Sequence, residues 1–192
     1  PPLVAWGGHL PPQGYGTVHT DHVAGASAAV EHLIKTVRRR ILFLGDPAVP
    51  EIKLRYEGYQ RALDRAPRGT AMHRIVPAHL TADTAYEAMR AWIREGGQFD
   101  AVFAATDVIA ISAIRAITAS GLRVPQDVAV VGFDDIAIAA HCNPALTTVR
   151  QDLNRGARTL VDLLFRRLNG EDTPSATMPA ELIIRESSVA RD

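Results

Sequence analysis

The sequence predicts an α/β fold of doubly wound parallel sheets. Short apolar runs such as "ILFLGD", "DAVFAATD" and "VAVVGFDD" recur along the chain. Longer segments with apolar residues at helical spacing separate them. The runs are continuously apolar rather than alternating, as strands are when helices cover a parallel sheet on both faces. No internal repeat, low-complexity tract or long linker breaks the order.

In order, "LVAW" (3–6) reads as a strand, followed by the Gly/Pro-rich loop "GGHLPPQGYG". In "DHVAGASAAVEHLIKTV", Val23, Ala26, Val30, Leu33 and Ile34 fall on one helical face. "RRR" (38–40) reads as the end of that helix, its cations facing the negative end of the dipole. "ILFLGD" (41–46) is a buried strand, and "EIKLRYEGYQRALDRA" (51–66) a helix with Pro50 at its start. "HRIVPA" is a strand and "TADTAYEAMRAWIREGG" a helix closed by two glycines, with Thr81 or Asp83 placed to cap it. Then come the strand "DAVFAATD" (100–107), the helix "VIAISAIRAITASG", the loop "LRVPQD" and the strand "VAVVGFDD". "LTTVRQD" leads into the helix 153–170, and "SATM" and "AELIIRES" are short extended pieces. The helix at 107–120 has almost no polar face, so it is either buried all round or packed against a second molecule.

The chain of 192 residues is 47% apolar and 22% charged, and it can bury a proper core. Its 21 basic and 21 acidic residues cancel, which disfavours direct contact with nucleic acid. A lone cysteine, Cys142, allows no internal disulfide and no cysteine metal cage. No apolar stretch approaches the ~18 residues of a membrane span, and no signal peptide is visible. The opening "PPLVAWGG", without methionine, is expected of a fragment.

Catalytic patterns fail one by one. The glycines of "WGGHLPPQGYG" lack dinucleotide-fingerprint spacing, and no phosphate-binding loop ends in Gly-Lys-Ser/Thr. Ser27 sits within a helical pattern without a nucleophile elbow. His19, His22 and His32 are too loosely spaced for a metal site. No enzyme, metal or cofactor is therefore expected. Open α/β sheets bind ligands at the carboxyl ends of strands, which here carry Asp46, Thr106-Asp107 and Asp134-Asp135. A carboxylate there accepts ligand hydroxyls, at about 1.5–3 kcal/mol per charge-assisted bond, or it only caps the next helix or turn. For Asp107, ahead of a helix, the cap is the better reading. Asp134 and Asp135, adjacent in extended chain, point apart and do not form a catalytic pair.

"DAVFAATDVIAISAIRAITASGLRVPQDVAVVGFDD", "PALTTVRQDL" and the closing "PAELIIRES" resemble the effector-binding core of the LacI/GalR family of bacterial transcription repressors. The resemblance runs from about Pro2 to Ser187. It implies a two-lobed architecture like a periplasmic sugar-binding protein, without the helix-turn-helix headpiece and with an incomplete first lobe. Residues 1–38 and 151–170 would be the remnant of that lobe, and 39–150 and 171–192 the second lobe. The resemblance further implies that a small molecule binds between the lobes and that their angle sets operator affinity. The implied partners are a sugar-like effector, a second copy of the chain, and operator DNA through the headpiece, in the cytoplasm. The alternative is a sugar-binding receptor of a transporter with the same fold.

Matched by motif, Arg55 in "LRYEGY" is the arginine that reaches into the cleft, its planar fork holding two ligand oxygens. Asp134, first acid of "GFDD", is the hydroxyl-accepting aspartate, leaving Asp135 to organise the turn. Leu80 stands where relatives often carry an aromatic platform, and Thr106 where many carry asparagine. Those departures leave the effector open between a sugar, a nucleoside and a sugar phosphate. Implied homodimerisation gives the apolar helix a purpose, with Val108, Ile111, Ile114 and Ile138 as interface candidates.

Overall fold

The computed structural model describes residues 2–7, 15–67, 69 and 74–189. Nine strands and five α-helices occur among them: β1 Val4–Trp6, β2 Gly16–Thr20, α1 His22–Lys35, β3 Ile41–Leu44, α2 Pro50–Asp64, β4 Arg74–Val76, α3 Ala82–Arg94, β5 Ala101–Ala104, α4 Asp107–Ala119, β6 Ala129–Asp134, β7 Thr147–Gln151, α5 Leu153–Leu168, β8 Ala176–Met178 and β9 Ala180–Ile183. A single 3-10 turn spans Ala137–Ala140.

The strands form two sheets, β1-β2-β8 and β4-β3-β5-β6-β7-β9. All pairings are parallel except the antiparallel edge β7–β9. The predicted α/β class of doubly wound parallel sheets is the fold observed. In the larger sheet β3 and β5 are buried throughout, and so is β6 up to Phe133. Phe43 packs edge-on to Phe103 at a centroid distance of 5.8 Å, and Tyr59 caps this layer with its hydroxyl donating to Ile41 O. The smaller sheet has a thin core of Val18, Leu163 and Met178.

The chain crosses between sheets three times: after β2 into α1, after β7 into α5, and from β8 to β9. The crossings are stitched together. Asp21 N donates to Met178 O at 2.8 Å, and Thr20 Oγ1 donates to Gln151 Oε1 at 2.9 Å.

Several expectations need correction. Strand β2 falls where only loop and helix were read, because "GTVHT" is short and half polar. The lobe boundaries move as well. Helix α1 packs on α2, β7 and β9, so the first crossing lies at 20–22 rather than 38. β8 pairs with β2, so residues 176–178 belong to the smaller sheet and not to the larger lobe. Gly58 explains the α1–α2 contact, since a Cβ there would lie 2.4 Å from Val23 O. The arginines at 38–40 lie beyond the helix cap at Thr36. Arg38 instead donates to Pro125 O, and the backbone of Arg39 and Arg40 to Asp100. Helix α4 buries Ile109, Ala110, Ala113, Ile114, Ala116 and Ile117 within this chain. Ile114, 6% exposed, is therefore already spent in the core; Val108 and Ile138 remain exposed and Ile111 half-buried. No helix among the described residues is long and apolar enough to cross a membrane.

Candidate functional site

A cavity of about 280 Å³ lies where the two sheets meet, at the carboxyl ends of β3, β5 and β6. Trp6, His19 and Thr20 line it from the smaller sheet, and Arg55, Leu80, Thr106 and Asp134 from the larger. All four residues expected to bind a ligand thus face one space.

Arg55 is the best-fixed of them. Pro50 opens α2 and Glu51 lies in its first turn, where a carboxylate suits the positive end of the dipole. One turn later Arg55 is only 5% exposed. Its NH2 lies 3.2 Å from Asp134 Oδ1, Nε donates to His22 Nδ1 at 3.3 Å, NH1 donates to Ala105 O, and the guanidinium lies 3.9 Å from the centre of the Phe133 ring. A guanidinium carries five N–H groups, and these partners account for three of them.

Asp134 ends β6 at φ 123°, and Asp135 follows at φ 55°. Two successive non-glycine residues in the left-handed region cost of order 1–3 kcal/mol each and persist only where surroundings dictate them. Side chains supply that constraint. Gln151 Nε2 donates to Asp134 Oδ1 at 2.7 Å. Arg150 and Arg185 each donate to Asp135 at 2.7 Å. Burial raises the Asp134 carboxyl above the usual carboxylate range, opposed by Arg55 and Gln151. Burial likewise lowers Arg55, opposed chiefly by Asp134. For both partners desolvation outweighs the pair, so a further hydroxyl donated to Asp134 would stabilise its charged form.

The two neighbouring acids therefore differ: Asp134 lines the cavity, and Asp135 is held by Arg150 and Arg185. Asp107 departs from expectation. Thr106 is the cap of α4, its Oγ1 accepting from Ile109 N at 3.3 Å. Asp107 is wholly buried, accepting from Ile136 N at 2.9 Å and from Thr148 Oγ1. Its pKa is raised to about 6, mainly by burial. It also accounts for the glycine inside "VVGFDD": a Cβ on Gly132 would lie 2.3 Å from Asp107 Oδ1.

Sequence reasoning missed His22, Gln151 and Trp6. His22 is 4% exposed, and burial with the nearby Arg55 charge lowers its pKa to about 4, so it is neutral and accepts from Arg55. Nothing in "TDHVAG" signals that role beyond a polar residue at a helix start. Gln151 belongs to "LTTVRQ", which stood out as a string but gave no hint that its amide bridges Thr20 and Asp134. Asp46 stays outside the cavity, accepting from Ala48 N and pairing with His79.

Comparison with known proteins agrees with this fold. Residues 30–188 match the periplasmic binding protein-like domain. The HTH-type transcriptional regulator CelR of Thermobifida fusca is 36% identical over 182 residues, 93% of this chain and 53% of that protein. The HTH-type transcriptional repressor PurR of Pasteurella multocida is 32% identical over 196 residues, 99% of this chain and 58% of that protein. The chain thus spans a little over half the length of these relatives. Among solved structures, a chain from Sanguibacter keddieii DSM 10542 assigned to the LacI family of transcriptional regulators superposes with a TM-score of 0.89 at 38% identity, covering 97% of this chain and 72% of that one. A complex of the regulator CelR with cellobiose superposes with a TM-score of 0.87 at 34% identity, covering 96% of this chain and 58% of that one.

Proposed function

The chain belongs to the LacI family and carries its periplasmic binding protein-like domain, and from that premise we propose that it is the effector-sensing part of a transcriptional repressor. A small saccharide-like molecule binds in the cleft between the sheets and has no bond broken there. Its hydroxyls donate to Asp134 and accept from the two remaining N–H groups of Arg55. The observation that carries this reading is the convergence of Arg55, Asp134 and Thr106, from three different elements, on one cavity between two sheets. The complex of the related CelR with cellobiose supports a saccharide as the class of effector.

The smaller sheet is the remnant of a first lobe that a longer chain completes. Helix α5 leaves Val161, Phe165 and Leu168 at 49–62% exposure, an apolar face at helical spacing. The DNA-contacting headpiece belongs to the same absent part, in keeping with the zero net charge of this chain. The working form is a cytoplasmic homodimer. Exposed Val108 and Ile138 are side chains available for it.

Coupling follows from the stitched crossings. An effector bridging the sheets favours one angle between them, and only differential affinity for the two angles shifts their population. Operator binding then changes effector affinity by the same factor. The test is operator titration of the full-length protein across a panel of mono- and disaccharides that includes cellobiose. At least one sugar should shift operator affinity, and Asp134→Ala should remove the shift. Operator affinity indifferent to every sugar that binds the cleft would refute the allosteric reading.

A further inference from the structure

The aim of the cleft's cation depends on a side chain that is itself almost wholly covered. His22 is the first residue of α1, 4% exposed, and stands where the chain crosses out of the smaller sheet. Asp21 holds that crossing twice, its N–H donating to Met178 O and its Oδ1 accepting from Ala24 N. The imidazole lies 5.6 Å from the Phe133 ring between centroids, and the same ring carries the Arg55 guanidinium. Both side chains thus pack against one aromatic surface, and Arg55 Nε donates to His22 Nδ1 at 3.3 Å. That bond needs a bare Nδ1, which puts the imidazole proton on Nε2. Burial, Arg55 and His19 keep the ring neutral by lowering its pKa to about 4, against the opposing pull of Glu51 and Asp21.

A guanidinium is a rigid planar fork, so its aim is set once its plane and its stem nitrogen are held. Phe133, 3.9 Å beneath, holds the plane. Of the polar anchors, Ala105 O belongs to the backbone and Asp134 is itself a candidate reader of the ligand. His22 holds Nε, the nitrogen on the stem. We propose that His22 is the positioning residue of the cleft, gripping Arg55 by Nε so that the rest of the fork meets the effector's oxygens. This rests on the saccharide reading above and deepens it, because the crossing at 20–22 lets the smaller sheet set the aim of the cation on the larger one. Removing the acceptor leaves a buried, charged N–H unpaired, which costs more than the bond itself contributed. The fork then turns to recover a partner. Asparagine at this position keeps an acceptor, its Oδ1 standing one bond beyond Cγ as Nδ1 does, whereas leucine matches the branching and accepts nothing.

The experiment is calorimetry on the full-length protein with cellobiose, the sugar bound by the related CelR, in the parent, His22→Asn, His22→Leu and Asp134→Ala forms. Thermal melts confirm that each variant is folded. His22→Leu should weaken binding about tenfold or more, and His22→Asn should stay within about threefold of the parent. Nitrogen NMR of the selectively labelled, ligand-free protein reads the positioning without any sugar. It should show a bare Nδ1 on His22 and an Arg55 Nε–H protected from exchange, with the protection kept in His22→Asn and lost in His22→Leu. Parental affinity in His22→Leu overturns the proposal. So does a leucine variant that binds better than the asparagine one, since a packing role alone favours the apolar side chain. A parent His22 with its proton on Nδ1 overturns it as well, whether or not the variants fold. Each of these results leaves the cleft reading standing when Asp134→Ala still abolishes binding. If cellobiose does not bind the parent, or binds Asp134→Ala equally well, the cleft reading fails and this inference with it.

Discussion

The two sides of the cleft are built differently. On the larger sheet, the polar groups are locked before any ligand arrives: Arg55 touches Asp134, His22, Ala105 O and Phe133, and sits over a core that includes Phe43, Tyr59 and Phe103. On the smaller sheet three strands share a core of three buried side chains, and α5 turns Phe165 and Leu168 outward. Preorganised donors and acceptors keep the entropic cost of recognition low. On the function proposed above, the larger sheet reads the ligand and the smaller one responds to it.

The sharpest way to break this comparison is to remove the rigid side's central cation. Arg55→Ala leaves the Asp134 carboxylate partly buried and unpaired, at a cost of about 3 kcal/mol. The midpoint of thermal unfolding should fall by roughly 6–12 °C. A change within about 1 °C would mean that Arg55 is not structural and serves only the ligand.

A smaller effect, opposite in sign for two residues, comes from pH. His22 has its pKa lowered to about 4, so its contribution is present above pH 6.5 and lost as pH falls through the folded value. Asp107 has its pKa raised to about 6, so its contribution is present below pH 3.8 and lost as pH rises through the folded value. Between about pH 4 and 6 the two slopes oppose each other. His22→Gln should leave a protein whose stability falls over that range by about 2 kcal/mol, and Asp107→Asn one whose stability rises by a similar amount. Urea midpoints at pH 4.5 and 6.5 measure both. Slopes of the same sign would contradict the assignment.

The smallest effect belongs to the lighter side. Phe165→Gln on α5 should change the stability of this chain by less than about 0.5 kcal/mol, because the ring is 62% exposed. In the full-length protein the same change should cost about 2 kcal/mol or more, if the completed first lobe covers that face. Equal effects in both would show that nothing covers α5.

The sequence made the larger sheet legible because its strands are continuous apolar runs and its helices carry caps such as Thr81. β2 was not legible, since "GTVHT" buries polar and apolar side chains alike. Nor does periodicity say which sheet a helix joins: α1 is plainly a helix, but its place beside α2 depends on the small contact at Gly58. Within the site, Arg55 and Asp134 were visible through motifs. His22 and Gln151 were not, because their roles exist only where three crossings meet in space. The apolar face of α4 left two readings open for a related reason, since burial in a large core and burial in an interface leave the same pattern.

The central claim is that a ligand held by Asp134 controls DNA affinity from between the two sheets. Operator affinity of the full-length protein, measured with and without a saturating neutral sugar in the parent and in Asp134→Ala, tests it most directly. A sugar-dependent shift in the parent that is absent in the variant is the predicted result. An equal shift in both proteins would contradict it.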